Sequence, residues 1–133
     1  MKISLIQTAL VWEDAAANRA AFSEKINAIN EAVDLIVLPE MFATGFTMNP
    51  SAVAETMDGE SVQWMVQTAV SKGCAITGSL VIEEDGKYYN RLLFVLPDGE
   101  VKTYNKRHLF SFAGEDKHYT AGTDKLIVEY KDW

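Results

Sequence analysis

The chain has 133 residues with 48% hydrophobic and 11% aromatic content, enough apolar material for a packed core of ordinary size, which excludes intrinsic disorder. Twelve Lys and Arg against nineteen Asp and Glu leave a net charge of −7, which argues against a nucleic-acid binder or a polybasic membrane anchor, since both need a cationic face. One cysteine, Cys74, cannot form an internal disulfide, and with His108 and His118 it offers no zinc-site spacing, so no metal is expected.

Lys2 to Ala9 reads as a strand covered on both faces, rich in Ile and Leu. It becomes polar too early for a secretory signal, and no apolar run approaches the ~20 residues of a membrane-spanning helix, so a cytoplasmic location is expected. Asp14 is a candidate N-cap for a helix from about Ala15 to Ala32, with Phe22, Ile26, Ile29 and Val33 forming one apolar stripe. Leu35 to Leu38 is a buried strand that Pro39 ends, completing a βαβ unit.

Met41 to Glu60, punctuated by Gly45, Pro50 and Gly59, reads as a long ordered loop with room for one helical turn. Ser61 to Lys72 carries apolar residues at helical spacing, and Gly73 stands at the position of a left-handed cap. Cys74 to Ile82 and Lys87 to Leu96 read as strands joined at Glu84-Asp85-Gly86; a further strand follows Pro97-Asp98-Gly99 and ends near Asn105. Lys125 to Tyr130 is predicted as one more strand. The pattern is α/β, with no repeat, linker or internal domain boundary.

Three places could carry chemistry. Glu40 stands at the C-terminal end of a buried strand, where sites in open α/β sheets occur. Held among apolar neighbours such as Met41 and Phe42, its carboxylate would lose hydration and suit general-base work; a Glu that caps a loop or pairs with a Lys fits the same position. Lys106, in Tyr104-Asn105-Lys106-Arg107-His108, could turn inward and stabilise negative charge on a reacting oxygen, or lie on a solvated strand end. Glu115, in the glycine-containing loop that follows, is a candidate second carboxylate, and His118 reads as a loop histidine. No dinucleotide, phosphate-loop, zincin or calcium-loop motif is present.

Taken together, Leu38-Pro39-Glu40-Met41-Phe42 with Thr44-Gly45-Phe46, and Tyr104-Asn105-Lys106-Arg107-His108-Leu109-Phe110 with Ala113-Gly114-Glu115, resemble the nitrilase superfamily of carbon–nitrogen hydrolases. Within it the chain is most similar to the ω-amidases. The resemblance covers essentially the whole chain and implies an α-β-β-α sandwich, of which residues 1–133 are the N-terminal part. It also implies a Glu, Lys and Cys triad in which Glu40 is the base, Lys106 the oxyanion partner and Glu115 a supporting carboxylate. Phe42 and Phe46 are candidates for lining a substrate pocket, a position that core packing explains equally well.

The third triad member does not map. Cys74 lies at the start of a strand and reads as a small buried hydrophobe. The chain stops at Asp132-Trp133 directly after an apparent strand, which suggests an interruption before the nucleophilic cysteine. The resemblance implies release of ammonia from a small amide, such as a 2-oxo acid amide, without a cofactor, by a protein that forms homodimers. The 133-residue piece alone is expected to be inactive and poorly soluble. Hydrolysis of another amide, a nitrile or an N-carbamoyl group remains open, as does a non-catalytic binding module of the same fold.

Overall fold

The computed structural model describes residues 1–133. One five-stranded sheet organises it, in the order β1 (Ile3–Leu5), β2 (Leu35–Val37), β3 (Ala75–Glu84), β4 (Lys87–Val95) and β5 (Val101–Asn105). The first three strands are parallel, with Ile3 opposite Leu35 and Leu35 opposite Ala75; β4 and β5 continue the sheet antiparallel. This topology puts the C-terminal ends of β2, β3 and β5 on one edge of the molecule.

Two helices cover one face of the sheet. In α1 (Ala15–Asn27) the Asp14 carboxylate caps the first turn, accepting from the Ala17 N–H at 2.9 Å. Phe22 and Ile26 of α1 pack with Val62, Met65 and Ala69 of α3 (Glu60–Lys72) onto Ile36, Ile76, Leu80, Ile82, Leu93 and Val95. Along β3 the residues that meet the helices alternate with Thr77 and Ser79, which face the other side. Gly73 closes α3 at φ +64°, the left-handed cap its position predicted.

The long loop holds the anticipated single turn, α2 (Pro50–Val53), with Pro50 at its start. The loop then docks on the sheet through Glu55, whose N–H donates to the Val81 carbonyl at 3.1 Å. Between β3 and β4 the turn uses Asp85 at φ +53° and Gly86 at φ +72°, two successive left-handed residues as a tight hairpin demands.

β1 and α1 both end earlier than expected. β1 stops at Leu5 rather than Ala9, although Ile6 still donates to the Val37 carbonyl at 3.0 Å. α1 ends at Asn27, and Ile29 and Val33 reach the same core from the connection that reverses the chain into β2. A helix continuing to Ala32 would leave too little chain for that reversal.

Lys125 to Tyr130 is not a strand. Its alternation is real, with Leu126, Val128 and Tyr130 half-buried, but the segment has no ladder partner. Ile127 is 86% exposed. The segment is held instead by Tyr130, whose hydroxyl donates to the Asp34 carbonyl at 3.2 Å, and by an ion pair between Lys131 and Asp34. That ammonium, with the Lys2 N–H, keeps the Asp34 carboxyl below its usual range. No helix is long and apolar enough to cross a membrane.

Candidate active site

Glu40 leaves β2 in a turn that β3 grips. The Leu38 N–H donates to the Thr77 carbonyl at 2.8 Å, the Met41 N–H to the Ser79 hydroxyl at 2.8 Å, and the Phe42 N–H to the Ser79 carbonyl at 3.1 Å. Met41 adopts φ +46°, a conformation that costs a residue bearing a Cβ. Full burial of Met41 and Phe42 holds it there. The approach to β3 leaves no room for a side chain at Gly78, where a Cβ would lie 2.9 Å from Leu38 Cβ and 3.1 Å from Phe42 Cδ1.

Lys106 follows β5 directly. Its N–H donates to the Asn90 carbonyl at 2.9 Å and its own carbonyl accepts from the Gly122 N–H at 3.0 Å. Gly122 must be glycine in this packing, because a Cβ would lie 2.3 Å from the Asn105 carbonyl oxygen. Glu115 opens a short 3-10 turn (Glu115–Lys117) and is wholly buried; its carboxylate accepts from the Phe110 N–H at 2.6 Å.

These constraints bring three charged groups together. Lys106 Nζ lies 2.7 Å from Glu40 Oε1 and 2.9 Å from Glu115 Oε2. Asn90 on β4 sits between the two acids, its Nδ2 donating to Glu40 Oε1 at 2.6 Å and to Glu115 Oε1 at 3.2 Å. Burial alone would lower the pKa of the Lys106 ammonium, but hydrogen bonds to Glu40 and Glu115 outweigh it and hold the pKa above the usual value. The ammonium also stands 5.0 Å from the centre of the Phe46 ring.

A cavity of about 250 Å³ opens beside this cluster on the sheet face away from the helices, lined among others by Glu40, Lys106, Asn90, Thr77, Ser79 and Tyr104. Chemically, the arrangement offers a fixed ammonium able to meet developing negative charge and a carboxylate able to take a proton.

The structure therefore gathers Glu40, Lys106 and Glu115, which lie far apart in sequence. Phe46 lies beside the ammonium. Phe42 does not face the cavity: it is fully buried between Phe22 and Trp64, with ring centroids 5.6 Å away in each case, so core packing is its role here. Met41 and Phe42 turn into the interior, and among residues 1–133 the Glu40 side chain is 50% exposed.

Cys74 precedes Ala75, which pairs with the first residue of β2, so it sits at the opposite end of the parallel strands from Glu40. Burial pushes its thiol pKa up, favouring the unreactive protonated form. His108 and His118 are exposed. Asn90 was not among the sequence candidates. The available signal was an amide in the middle of a strand, a position where Asn is depleted.

Residues 2–129 match the carbon-nitrogen hydrolase family. The chain belongs to that family, within the nitrilase superfamily. It is 42% identical to an omega-amidase, YafV of Yersinia enterocolitica, over 100% of this chain and 51% of that protein. A 2-oxoglutaramate amidase of Bacillus subtilis is 31% identical over 72% of this chain and 38% of that protein.

Among solved structures, the carbon-nitrogen hydrolase superfamily protein XC1258 of Xanthomonas campestris superposes with a TM-score of 0.96. It is 41% identical over 100% of this chain and 50% of its own. Nit3 of Saccharomyces cerevisiae shares the fold at a TM-score of 0.85 and 23% identity, over 98% of this chain and 52% of its own. The chain thus spans about half the length of the curated omega-amidase it matches at 51% coverage. The nitrilase-like fold expected from the motifs is the fold observed.

Proposed function

We propose that the complete protein is an ω-amidase that releases ammonia from a small 2-oxo acid amide, and that residues 1–133 supply its base and its oxyanion partner. The observation that carries this reading is the single ammonium of Lys106 held 2.7 Å from Glu40 and 2.9 Å from Glu115 at the edge of a cavity. Similarity to an omega-amidase and to a 2-oxoglutaramate amidase supports the substrate class. The nucleophile is a cysteine outside these residues, since Cys74 is buried at the far end of the sheet.

A thiol is only slightly ionised near neutral pH, so attack requires a base. Glu40 takes the S–H proton as sulfur bonds to the amide carbon, and the carbonyl oxygen acquires the negative charge that Lys106 stabilises by a charge-assisted hydrogen bond. Collapse breaks the C–N bond while Glu40 returns the proton to the departing nitrogen, which leaves as ammonia. Water then gives a proton to Glu40 and attacks the thioester; the C–S bond breaks and the thiol regains its proton. Glu115, buried behind the ammonium, keeps Lys106 turned toward the cavity and charged.

The test uses the complete protein and 2-oxoglutaramate as substrate. Glu40→Gln and Lys106→Ala are each expected to lower kcat by at least about a hundredfold, while Cys74→Ala keeps it within about threefold. Turnover retained in Glu40→Gln or Lys106→Ala, or abolished in a folded Cys74→Ala, overturns the assignment.

A further inference from the structure

We propose that Asn90 is a positioning residue for this site, its side-chain amide setting the spacing of the two carboxylates around Lys106; the proposal rests on the amidase reading above. Asn90 is 2% exposed, and its Nδ2 meets Glu40 Oε1 at 2.6 Å and Glu115 Oε1 at 3.2 Å. The chemistry of the group fits the task. A primary amide nitrogen carries two N–H bonds, one for each acid, and adds no charge to a cluster of two carboxylates and one ammonium. Placing the amide oxygen there instead would set it against two carboxylates, so the orientation is determined by the partners.

The same residue also fixes the backbone of Lys106. Its carbonyl accepts from the Lys106 N–H at 2.9 Å, so one position on β4 sets both the root of the lysine and the acids that its ammonium meets. Glu40 arrives from the end of β2, Lys106 from β5 and Glu115 from the 3-10 turn. Without a bridge from β4, Glu40 would be held among residues 1–133 by the lysine alone. A shift of about 1 Å in a reacting group can cost on the order of a hundredfold in rate, which makes such a bridge consequential.

Two variants of the complete protein test this, with Glu40→Gln assayed beside them. Asn90→Ala is expected to lower kcat about ten- to a hundredfold with KM changed less than about threefold. Asn90→Asp preserves shape and carries a more specific signature. Protonated, an aspartic acid offers an O–H in place of the amide N–H; ionised, it adds a third carboxylate to Glu40 and Glu115 against the single ammonium of Lys106.

The buried Tyr119 phenol is also close enough to feel Glu115, and burial together with that carboxylate pushes its pKa up, so it stays neutral. The pH optimum of Asn90→Asp should therefore move to lower pH, with activity returning as the pH falls, whereas a residue serving only to fill space would leave the profile unmoved. An unchanged pH profile in Asn90→Asp, or an unchanged kcat in Asn90→Ala, overturns the proposal if Glu40→Gln is inactive. If Glu40→Gln is active, the assignment of Glu40 as base has failed instead. Should Asn90→Ala prove unfolded by thermal denaturation, the pH profile of Asn90→Asp decides.

Discussion

Replacing Lys106 by Met probes the ammonium that pairs with two carboxylates at once. Met fills much of the volume of the lysine stem and removes only the charge that Glu40 and Glu115 share. The two acids then fare differently. Glu40, 50% exposed among residues 1–133, keeps the Asn90 amide at 2.6 Å, so the cost there is the smaller of the two. Glu115 is 0% exposed and keeps only the Phe110 N–H at 2.6 Å and the Asn90 amide at 3.2 Å.

Removing one partner of a buried ion pair leaves an uncompensated charge and costs about 3–5 kcal/mol. Most of the expected loss is therefore assigned to Glu115. Equilibrium urea denaturation of the complete protein at neutral pH measures it, with the slope checked for a constant exposed surface. Adding Glu115→Gln to Lys106→Met neutralises the stranded acid and should recover at least half of the loss, a coupling that a double-mutant cycle isolates. A Lys106→Met variant within about 1 kcal/mol of the parent, or a double variant less stable than the single one, refutes the reasoning.

Two further outcomes follow from the geometry. The Lys106 pKa is raised in the folded state, so its contribution to stability is complete below the unfolded value of about 10.5 and is lost as pH rises through the folded value; denaturation midpoints taken from pH 9 to 12 should fall more steeply for the parent than for Lys106→Met, and parallel curves would contradict this. Gly78→Ala inserts a methyl 2.9 Å from Leu38 Cβ, an overpacking worth about 1–3 kcal/mol that also displaces the Glu40 turn, so both stability and kcat should drop. Gly73→Ala, at φ +64° with nothing within 4 Å of the added Cβ, should cost about 1 kcal/mol and leave kcat unchanged; equal effects of the two on kcat would remove the link between Gly78 and the site.

Local rules carried far in this chain because several elements are specified by short-range chemistry. Asp14 caps α1, Gly73 ends α3 and Asp85-Gly86 turns the hairpin, each where a side chain or a left-handed backbone is required. Long-range pairing was the harder part. Leu126, Val128 and Tyr130 alternate like a strand, yet no neighbouring strand meets them. Ile29 and Val33 continue a helical stripe numerically while lying beyond the helix, because the register of β2 against β1 demands an earlier reversal.

At the site, strand-end position and motif pointed to Glu40 and Lys106, but sequence spacing says nothing about which side chains share an oxygen. The sequence marks Asn90 only as an amide inside a strand, its two acids joining it when β4 is laid between β3 and β5, and Phe42 is removed from the cavity wall only when Phe22 and Trp64 enclose it. The strained φ of Met41 is likewise a product of the fold, since the sequence places an ordinary methionine where a left-handed residue is needed.

The most direct measurement is a crystal structure of the complete protein trapped with an amide substrate or its acyl product. A cysteine sulfur bonded to, or within ~3.5 Å of, the carbonyl carbon, with Glu40 and Lys106 each within ~3.5 Å of the reacting sulfur or oxygen, is the result expected. Substrate held away from the cavity beside Lys106, or attacked by a group that neither residue approaches, would contradict the account.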